Sequence, residues 1–420
     1  MLASTSLATL FALALSATFS APANAHTVDL HKRDIGLKNA DGAINLDVLD
    51  KETARLTLKY RRNTETWRYH AFGGLDPSAR MAREKRANAG NLMLTQEAYA
   101  IWTGTVSVGT PAQDFNMYFD TGSSDFTVAS TQCPASSCGT KDRYDVSASS
   151  SAVKTSKTVR TNFVDGTSSA GPVVEDIVSI AGTVANKQDV VAATSLSSSV
   201  ANIASDGMGL AYPALSSAYS SSYMFTLASQ GTYIYPWFSM RLTNQGQSSI
   251  TFGSFNRRYV AGVTRWFNVA QQAGTSYRTY WQIGASTPLV NGQQAIANRV
   301  NHILDSGTTL IIAPPSAAAE FWANVPGSQV YNSQYWTYPC DTPPTVSFSF
   351  ARLLSTTYDV LPEEFNLGYL PSDNTRCVGA VVGSNLGLGT SWILGDAFLT
   401  NVYVIHDVQN NRIGLAPPRY

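Results

Sequence analysis

Met117-Tyr118-Phe119-Asp120-Thr121-Gly122-Ser123-Ser124 recurs 185 positions later (305 − 120) as His302-Ile303-Leu304-Asp305-Ser306-Gly307-Thr308-Thr309. Each copy is an extended, mostly apolar run that ends in Asp, a small hydroxyl residue, Gly and two further hydroxyl residues. Glycine at the third position allows a tight loop and a close approach of backbone. The spacing suits two lobes of similar size, each contributing one carboxylate. Two carboxylates held together cannot both ionise easily, so one keeps a proton and the other loses it. Such a pair can split a peptide bond: the ionised member takes a proton from water, and the protonated member polarises the carbonyl. Asp120 and Asp305 are therefore the candidate catalytic residues. Gly122 and Gly307 shape their loops, Ser123 and Thr308 offer hydroxyls to the outer carboxylate oxygens, and Thr121 and Ser306 can bond across the lobe interface.

Outward from these loops the texture is that of an all-β chain. Ile101–Val108 and Asp114–Phe119 alternate as strands around the turn Gly109-Thr110-Pro111-Ala112-Gln113. Strand alternation puts Asn116, Tyr118 and Asp120 on one face, with Met117 and Phe119 on the other. Ala317–Ala323 is the best short helix, and Ser195–Ser221 has no clear pattern. Charged residues make up 14% of the 420 positions, well below the roughly 25% usual for a soluble domain.

The chain opens with an uncharged apolar run, Leu7–Ala17, and the small-residue site Ala23-Asn24-Ala25, which reads as a signal peptide over residues 1–25. No other stretch reaches the ~20 apolar residues of a membrane span, and the carboxyl end has no hydrophobic tail, so no membrane anchor is expected. Residues 26–86 hold 13 Lys and Arg against 9 Asp and Glu, a net of +4; residues 87–420 hold the remaining 16 and 20, a net of −4. The two parts attract each other at neutral pH, and acid weakens that attraction. Lys85-Arg86 marks the junction, although Arg61-Arg62 and Lys32-Arg33 are also dibasic. Residues 26–86 lack strand alternation and read as a propeptide with some helix.

Cys133, Cys138, Cys340 and Cys377 should be oxidised behind a signal peptide. Three pairings are open, of which the nearest-neighbour one keeps each bridge local. Only His302 and His406 follow residue 86, without metal-ligand spacing. His302 falls on the strand face opposite Asp305 and reads as structural. No Gly-x-Ser-x-Gly elbow and no Gly-x-Gly-x-x-Gly loop is present, and the negative net charge after residue 86 argues against nucleic acid.

The two Asp loops are joined by Val108-Gly109-Thr110-Pro111-Ala112-Gln113, Gly209-Leu210-Ala211-Tyr212-Pro213, Tyr280-Trp281-Gln282-Ile283, Pro339-Cys340-Asp341, Trp392-Ile393-Leu394-Gly395-Asp396-Ala397-Phe398-Leu399 and Asn411-Arg412-Ile413-Gly414-Leu415-Ala416-Pro417. Together they resemble the pepsin family of aspartic proteases, its fungal members above all, from about residue 99 to the end. The resemblance implies an all-β, bilobal fold with a few short helices, with lobes over residues 87–262 and 263–420. It also implies the disulfides Cys133–Cys138 and Cys340–Cys377, a cleft for an extended peptide, and no cofactor or metal. The expected protein is a secreted, monomeric endopeptidase active at acidic pH; a vacuolar destination fits the same leader. Its partners would be polypeptide substrates, its own propeptide and pepstatin-like inhibitors. The alternative is a pepsin-fold binding protein or inhibitor that no longer cuts.

Three finer expectations come with the resemblance. Lys59-Tyr60 is similar to the family's propeptide Lys-Tyr, whose ammonium rests on the catalytic pair. The flap over the cleft corresponds to residues 163–171, where Phe163 replaces the usual Tyr and Thr127 replaces the Trp that bonds it, so packing with Tyr118 should hold the flap; Asp165 and Gly166 are further expected flap residues. Finally, Asp206-Gly207-Met208-Gly209 is one residue shorter than the common form, which puts the support behind Asp120 in question.

Overall fold

The computed structural model describes residues 26–33, 36–72, 101–162, 168–196, 206–244, 247–272, 275–350 and 357–419. Strands dominate, and two copies of one wiring pattern position the site. In the first copy, β1 (His26–Arg33), β2 (Ile101–Val108) and β3 (Gln113–Asp120) lie side by side. The strand Asp206–Gly209 runs parallel to β3 with Asp120 opposite Gly209, and it pairs antiparallel with Phe126–Ala129, which runs parallel to Thr183–Ala193. In the second copy, Val300–Leu304 runs parallel to Trp392–Leu394; that strand is antiparallel to Ile311–Ala313, which is parallel to Val381–Gly383. The sequence repeat is thus a repeat of topology as well.

A hairpin of Trp237–Arg241 and Ser248–Phe252 joins strands Tyr403–Asp407, Arg412–Ala416 and Arg265–Asn268 to the first copy, giving a 14-stranded sheet. The residue pair 262/263 lies in the connection between Ser248–Phe252 and Arg265–Asn268, both strands of this sheet. Met117, Phe119, Leu304, Ile393 and Leu394 are fully buried behind the two loops, as the alternation of β3 predicts. Both disulfides have the local pairing, Cys133–Cys138 and Cys340–Cys377. The short helix comes out at Pro315–Ala323. Among the described residues no helix is long and apolar enough to cross a membrane.

The amino-terminal segment departs from the reading that it lacks strand alternation. Its residues 26–33 form β1, which pairs with Ser248–Phe252 through His26–Leu30 and with β2 through His31–Arg33. Charged and polar residues at Asp29, His31, Lys32 and Arg33 hide the pattern, because only Val28 and Leu30 carry apolar side chains inward. The predicted helix is α1 (Leu46–Phe72), 27 residues long. Asn45 caps it by accepting from the Val48 amide at 3.2 Å. Leu49, Leu56, Tyr60 and Trp67 recur at helical spacing and bury one face in the main core. Burial of four such side chains stabilises the segment by about 1.5–3 kcal/mol each.

Candidate active site

Asp120 ends β3 and Asp305 follows Val300–Leu304, so each carboxylate leaves a strand at the same point of the repeated wiring. Each is fixed from two sides by its own loop. The Gly122 amide donates to Asp120 Oδ1 at 2.8 Å and Ser123 Oγ to Asp120 Oδ2 at 2.6 Å. The Gly307 amide donates to Asp305 Oδ1 at 2.9 Å and Thr308 Oγ1 to Asp305 Oδ2. The glycines are needed for space: a Cβ on Gly122 would strike the Asp305 carboxylate, and one on Gly307 the Asp120 carboxylate.

The loops also grip one another. The Thr121 amide donates to Ser306 Oγ at 3.1 Å and Ser306 Oγ to the Phe119 carbonyl at 2.8 Å; the Ser306 amide donates to Thr121 Oγ1 at 3.0 Å and Thr121 Oγ1 to the Leu304 carbonyl at 2.9 Å. Four bonds therefore fix the separation of the carboxylates from behind.

The shorter step at Asp206 still supports the Asp120 loop. The Leu210 amide donates to the Asp120 carbonyl and the Ala211 amide to the Ser123 carbonyl, both at 2.8 Å. Gly209 lies so close to Ser124 that a Cβ would come within 2.5 Å of its backbone. In the second lobe Gly395 presses on the Thr308 carbonyl, and the Asp396 amide donates to that same oxygen at 2.7 Å.

Lys59, on α1, lies between the two carboxylates. Its Nζ donates to Asp120 Oδ1 at 2.7 Å and to Asp305 Oδ1 and Oδ2 at 3.0 and 2.8 Å. The lysine is 10% exposed and Asp305 not at all. Burial presses the ammonium toward neutrality, but the two carboxylates outweigh it and raise its pKa. The carboxylates split. Burial raises Asp120, and the neighbouring Asp305 adds to the effect against the pull of Lys59. Burial also pushes Asp305 up, but the Lys59 charge and bonds from Asp120, Lys59 and Thr308 hold it well below the usual carboxylate range. With Lys59 in place, Asp120 is the member that more readily holds a proton and Asp305 the one that stays ionised.

Sequence reasoning did not find several further groups. Tyr60 donates its hydroxyl to Asp305 Oδ2 and packs on Tyr280 at 5.7 Å. Arg55 Nη2 donates to the Gly307 carbonyl at 2.9 Å, and Asn63 Nδ2 to the Gly122 carbonyl at 2.7 Å. These two carbonyls flank the dyad, one from each lobe. Arg62 pairs with Asp125 at 2.6 Å. Tyr60 belongs to the Lys59-Tyr60 pair that the resemblance singled out, without a role for its hydroxyl; no motif carries the Arg55, Arg62 and Asn63 contacts, whose only sequence signal is helical spacing from Lys59. Behind the site, Trp102 Nε1 donates to Asp396 Oδ1 at 2.8 Å, and burial raises the Asp396 pKa to about 8.

Tyr118 is half-buried, with its hydroxyl against Gly207. Burial and then the Asp120 charge raise its pKa, and Arg55, Lys59 and Arg62 of α1 act on it as well, so it lies on the side that α1 covers. Thr127 is half-buried opposite Gly207. Phe163, Asp165 and Gly166 lie outside the described residues. His302 receives only partial satisfaction: Nδ1 meets Ser286 Oγ, whereas Nε2 is buried without a partner. Among the described residues no group of three or more His, Cys, Asp or Glu is arranged to hold a metal ion.

The family model for eukaryotic aspartyl protease matches residues 101–418. An "Aspartic protease" of Phaffia rhodozyma is 34% identical over 387 residues, covering 90% of this chain and 88% of that protein. "Major aspartyl peptidase 1" of Cryptococcus neoformans var. grubii is 30% identical over 80% of this chain and 73% of its own length. "Pepsin-2B" of Gadus morhua is 30% identical over 77% of this chain and 98% of its own. The chain belongs to the eukaryotic aspartyl protease family and is an aspartic-type endopeptidase.

Proposed function

We propose that the chain is the precursor of a secreted endopeptidase that cuts polypeptides at acidic pH through Asp120 and Asp305. Residues 1–25 are its signal peptide, residues 26–86 an inhibitory propeptide, and residues 87–262 and 263–420 its two lobes. The observation that carries this reading is Lys59 seated between two carboxylates that corresponding loops hold face to face. A positive group fills the position where a water must sit for hydrolysis, so the segment that brings it blocks the reaction. Once the segment leaves, the ionised carboxylate takes a proton from water as the oxygen attacks the peptide carbon. The protonated carboxyl donates to the carbonyl oxygen, and the resulting diol collapses as the amide nitrogen gains a proton and departs. The Gly122 and Gly307 carbonyls, which accept from Asn63 and Arg55 in the precursor, become acceptors for backbone amides of an extended substrate. Protein hydrolysis at pH 3–5 with and without pepstatin is the direct test; absence of pepstatin-sensitive cleavage by the processed chain would refute the reading.

Release of the segment follows from the same charges. Asp120, with its raised pKa, is the first of the pair to gain a proton as pH falls, and this removes one of the two attractions on Lys59. Asp305, held low, keeps the other to lower pH. Lys59→Ala removes both attractions and leaves two buried carboxyls in contact. Breaking one side of a buried ion pair costs about 3–5 kcal/mol, so the variant precursor should convert at a pH at least one unit higher than the parent. Following conversion on gels across pH gives the comparison, and an unchanged midpoint would count against the role of Lys59.

Specificity should favour large hydrophobic residues on both sides of the scissile bond. Asp165, in the segment expected to form the flap, adds a preference for Lys just before it, with an effect of about tenfold on kcat/KM from one charge-assisted contact. A peptide library digested by the parent and by Asp165→Ala measures this; identical Lys cleavage by both proteins removes the role.

A further inference from the structure

We propose that Asp125, with the hydroxyl of Ser217, is a cation-taking subsite of the cleft, so that the enzyme prefers substrates carrying arginine at one fixed position away from the scissile bond. This inference rests on the protease reading given above. Asp125 stands five residues after Asp120, and its side chain is 6% exposed beneath α1. Ser216 Oγ donates to Oδ1 at 2.7 Å, the Ser217 amide to Oδ2 at 3.2 Å and the Ala218 amide to Oδ1 at 3.3 Å. Three neutral donors fix the carboxylate in position, and the positive partner comes from α1: Arg62 Nη2 lies 2.6 Å from Asp125 Oδ2 and 3.3 Å from Ser217 Oγ.

The position of this pair relative to the dyad makes it a subsite rather than a remote clamp. Along α1, Arg55 reaches the Gly307 carbonyl, Lys59 the dyad, and Asn63 the Gly122 carbonyl. Eight residues of helix span about 12 Å, so the three contacts cross the cleft from one lobe to the other. Arg62 and Asn63 are adjacent in sequence, and one takes Asp125 while the other takes the Gly122 carbonyl. A substrate strand that donates an amide to that carbonyl therefore passes within one residue's reach of Asp125. The outer rim is built too. Tyr219, in the left-handed region at φ 55°, stacks on His70 at 4.4 Å, and its amide donates to the Ser216 carbonyl.

When α1 leaves, Asp125 loses the Arg62 guanidinium and keeps the neutral donors of Ser216, Ser217 and Ala218. A substrate guanidinium restores the charge pair and can reach the carboxylate and the hydroxyl together, as Arg62 does through Nη2. Arg62 is in this sense the pseudo-substrate side chain of the precursor.

The test is a set of peptides sharing one scissile pair, in which Arg, citrulline or Glu is placed in turn at each other position. The processed enzyme should cleave the Arg peptide about tenfold faster than the citrulline peptide in kcat/KM at one position, with Glu slower still. In Asp125→Asn that ratio should fall to about one, and in Ser217→Ala it should shrink by a smaller factor. Since the citrulline comparison is made within the unaltered enzyme, it stands even if Asp125→Asn fails to fold. Equal rates for Arg and citrulline at every position overturn the proposal, as does a preference that survives Asp125→Asn. If these peptides are cut, in an Asp120-dependent manner, without that preference, only this inference fails. If none is cut, the protease reading fails with it.

Discussion

Asp120→Asn and Asp305→Asn each lower kcat/KM for peptide hydrolysis by about 10⁴-fold or more while the fold is kept. The amide is nearly the same size as the carboxyl, so the loop and the grip between Thr121 and Ser306 remain in place. What disappears is the shared proton. An Asn at either position can neither take a proton from water nor supply one to the carbonyl, and it deprives the other carboxyl of the charged neighbour with which it shares that proton. Each loop also points two donors at its carboxylate, and the amide nitrogen must face one of them, at a local cost of about 1–3 kcal/mol. Because the two residues act as one unit, the double variant should be little worse than either single one. Kinetics on one chromogenic peptide, with circular dichroism as the control for folding, decide the matter. A single variant with more than a few per cent of parental activity would disprove the assignment.

The second large effect concerns stability in acid. His302 and His406 are fully buried, and burial lowers both pKa values to about 3. His406 lies flat on Phe238 at 4.2 Å and edge-on to Trp281. In the unfolded chain each imidazole takes up a proton below about pH 6.5. The folded state cannot do so until about pH 3. Both histidines therefore favour folding fully above pH 6.5, and that contribution is lost as pH falls toward 3. At 1.36 kcal/mol per pH unit, each costs about 3 kcal/mol between pH 6.5 and pH 4. Asp396 works in the opposite direction. Its folded pKa of about 8 stabilises the fold fully below about pH 4, and the benefit fades as pH rises toward 8.

Replacing both histidines by Gln should therefore narrow the gap between the Tm at pH 6.5 and the Tm at pH 4 by roughly 5–10 °C. Asp396→Asn should instead raise the Tm near neutrality relative to acid. Measuring both in an Asp120→Asn background prevents self-digestion. A gap unchanged by the histidine replacements would show that these rings do not set the acid limit.

The two loops were legible because the chemistry demands a rigid order of residue types: extended run, Asp, hydroxyl, Gly, hydroxyl. Period-two alternation then placed Met117 and Phe119 in the core and Tyr118 on the covered side, and the structure agrees. Lys59 was legible only through resemblance, since one Lys on a charged segment carries no signal of its own. Arg55, Arg62 and Asn63 could not be read, because their partners lie 252, 63 and 59 positions away and two of those partners are backbone carbonyls. β1 was missed for a related reason. Its pattern rests on Val28 and Leu30 alone, and what holds it is the ladder on each side, which no local pattern reports. The short step at Asp206 looked like a weak support, yet backbone bonds from Leu210 and Ala211 do that work without regard to side chains.

The position of β1 separates two events that proteolysis is usually taken to join. The strand is stitched on both edges, to residues 248–252 through His26–Leu30 and to residues 101–103 through His31–Arg33, while α1 is bolted across the cleft by Arg55, Lys59 and Arg62. Severing the chain at Lys85-Arg86 touches none of these attachments. If residues 26–86 are the proposed inhibitory propeptide, a nicked molecule would remain a closed two-chain complex, and its inhibitor would leave at a rate set by unzipping a strand from the middle of a sheet. On the precursor reading proposed above, dissociation times activation, so dilution and acid, rather than the nicking enzyme, would decide when the first substrate is cut.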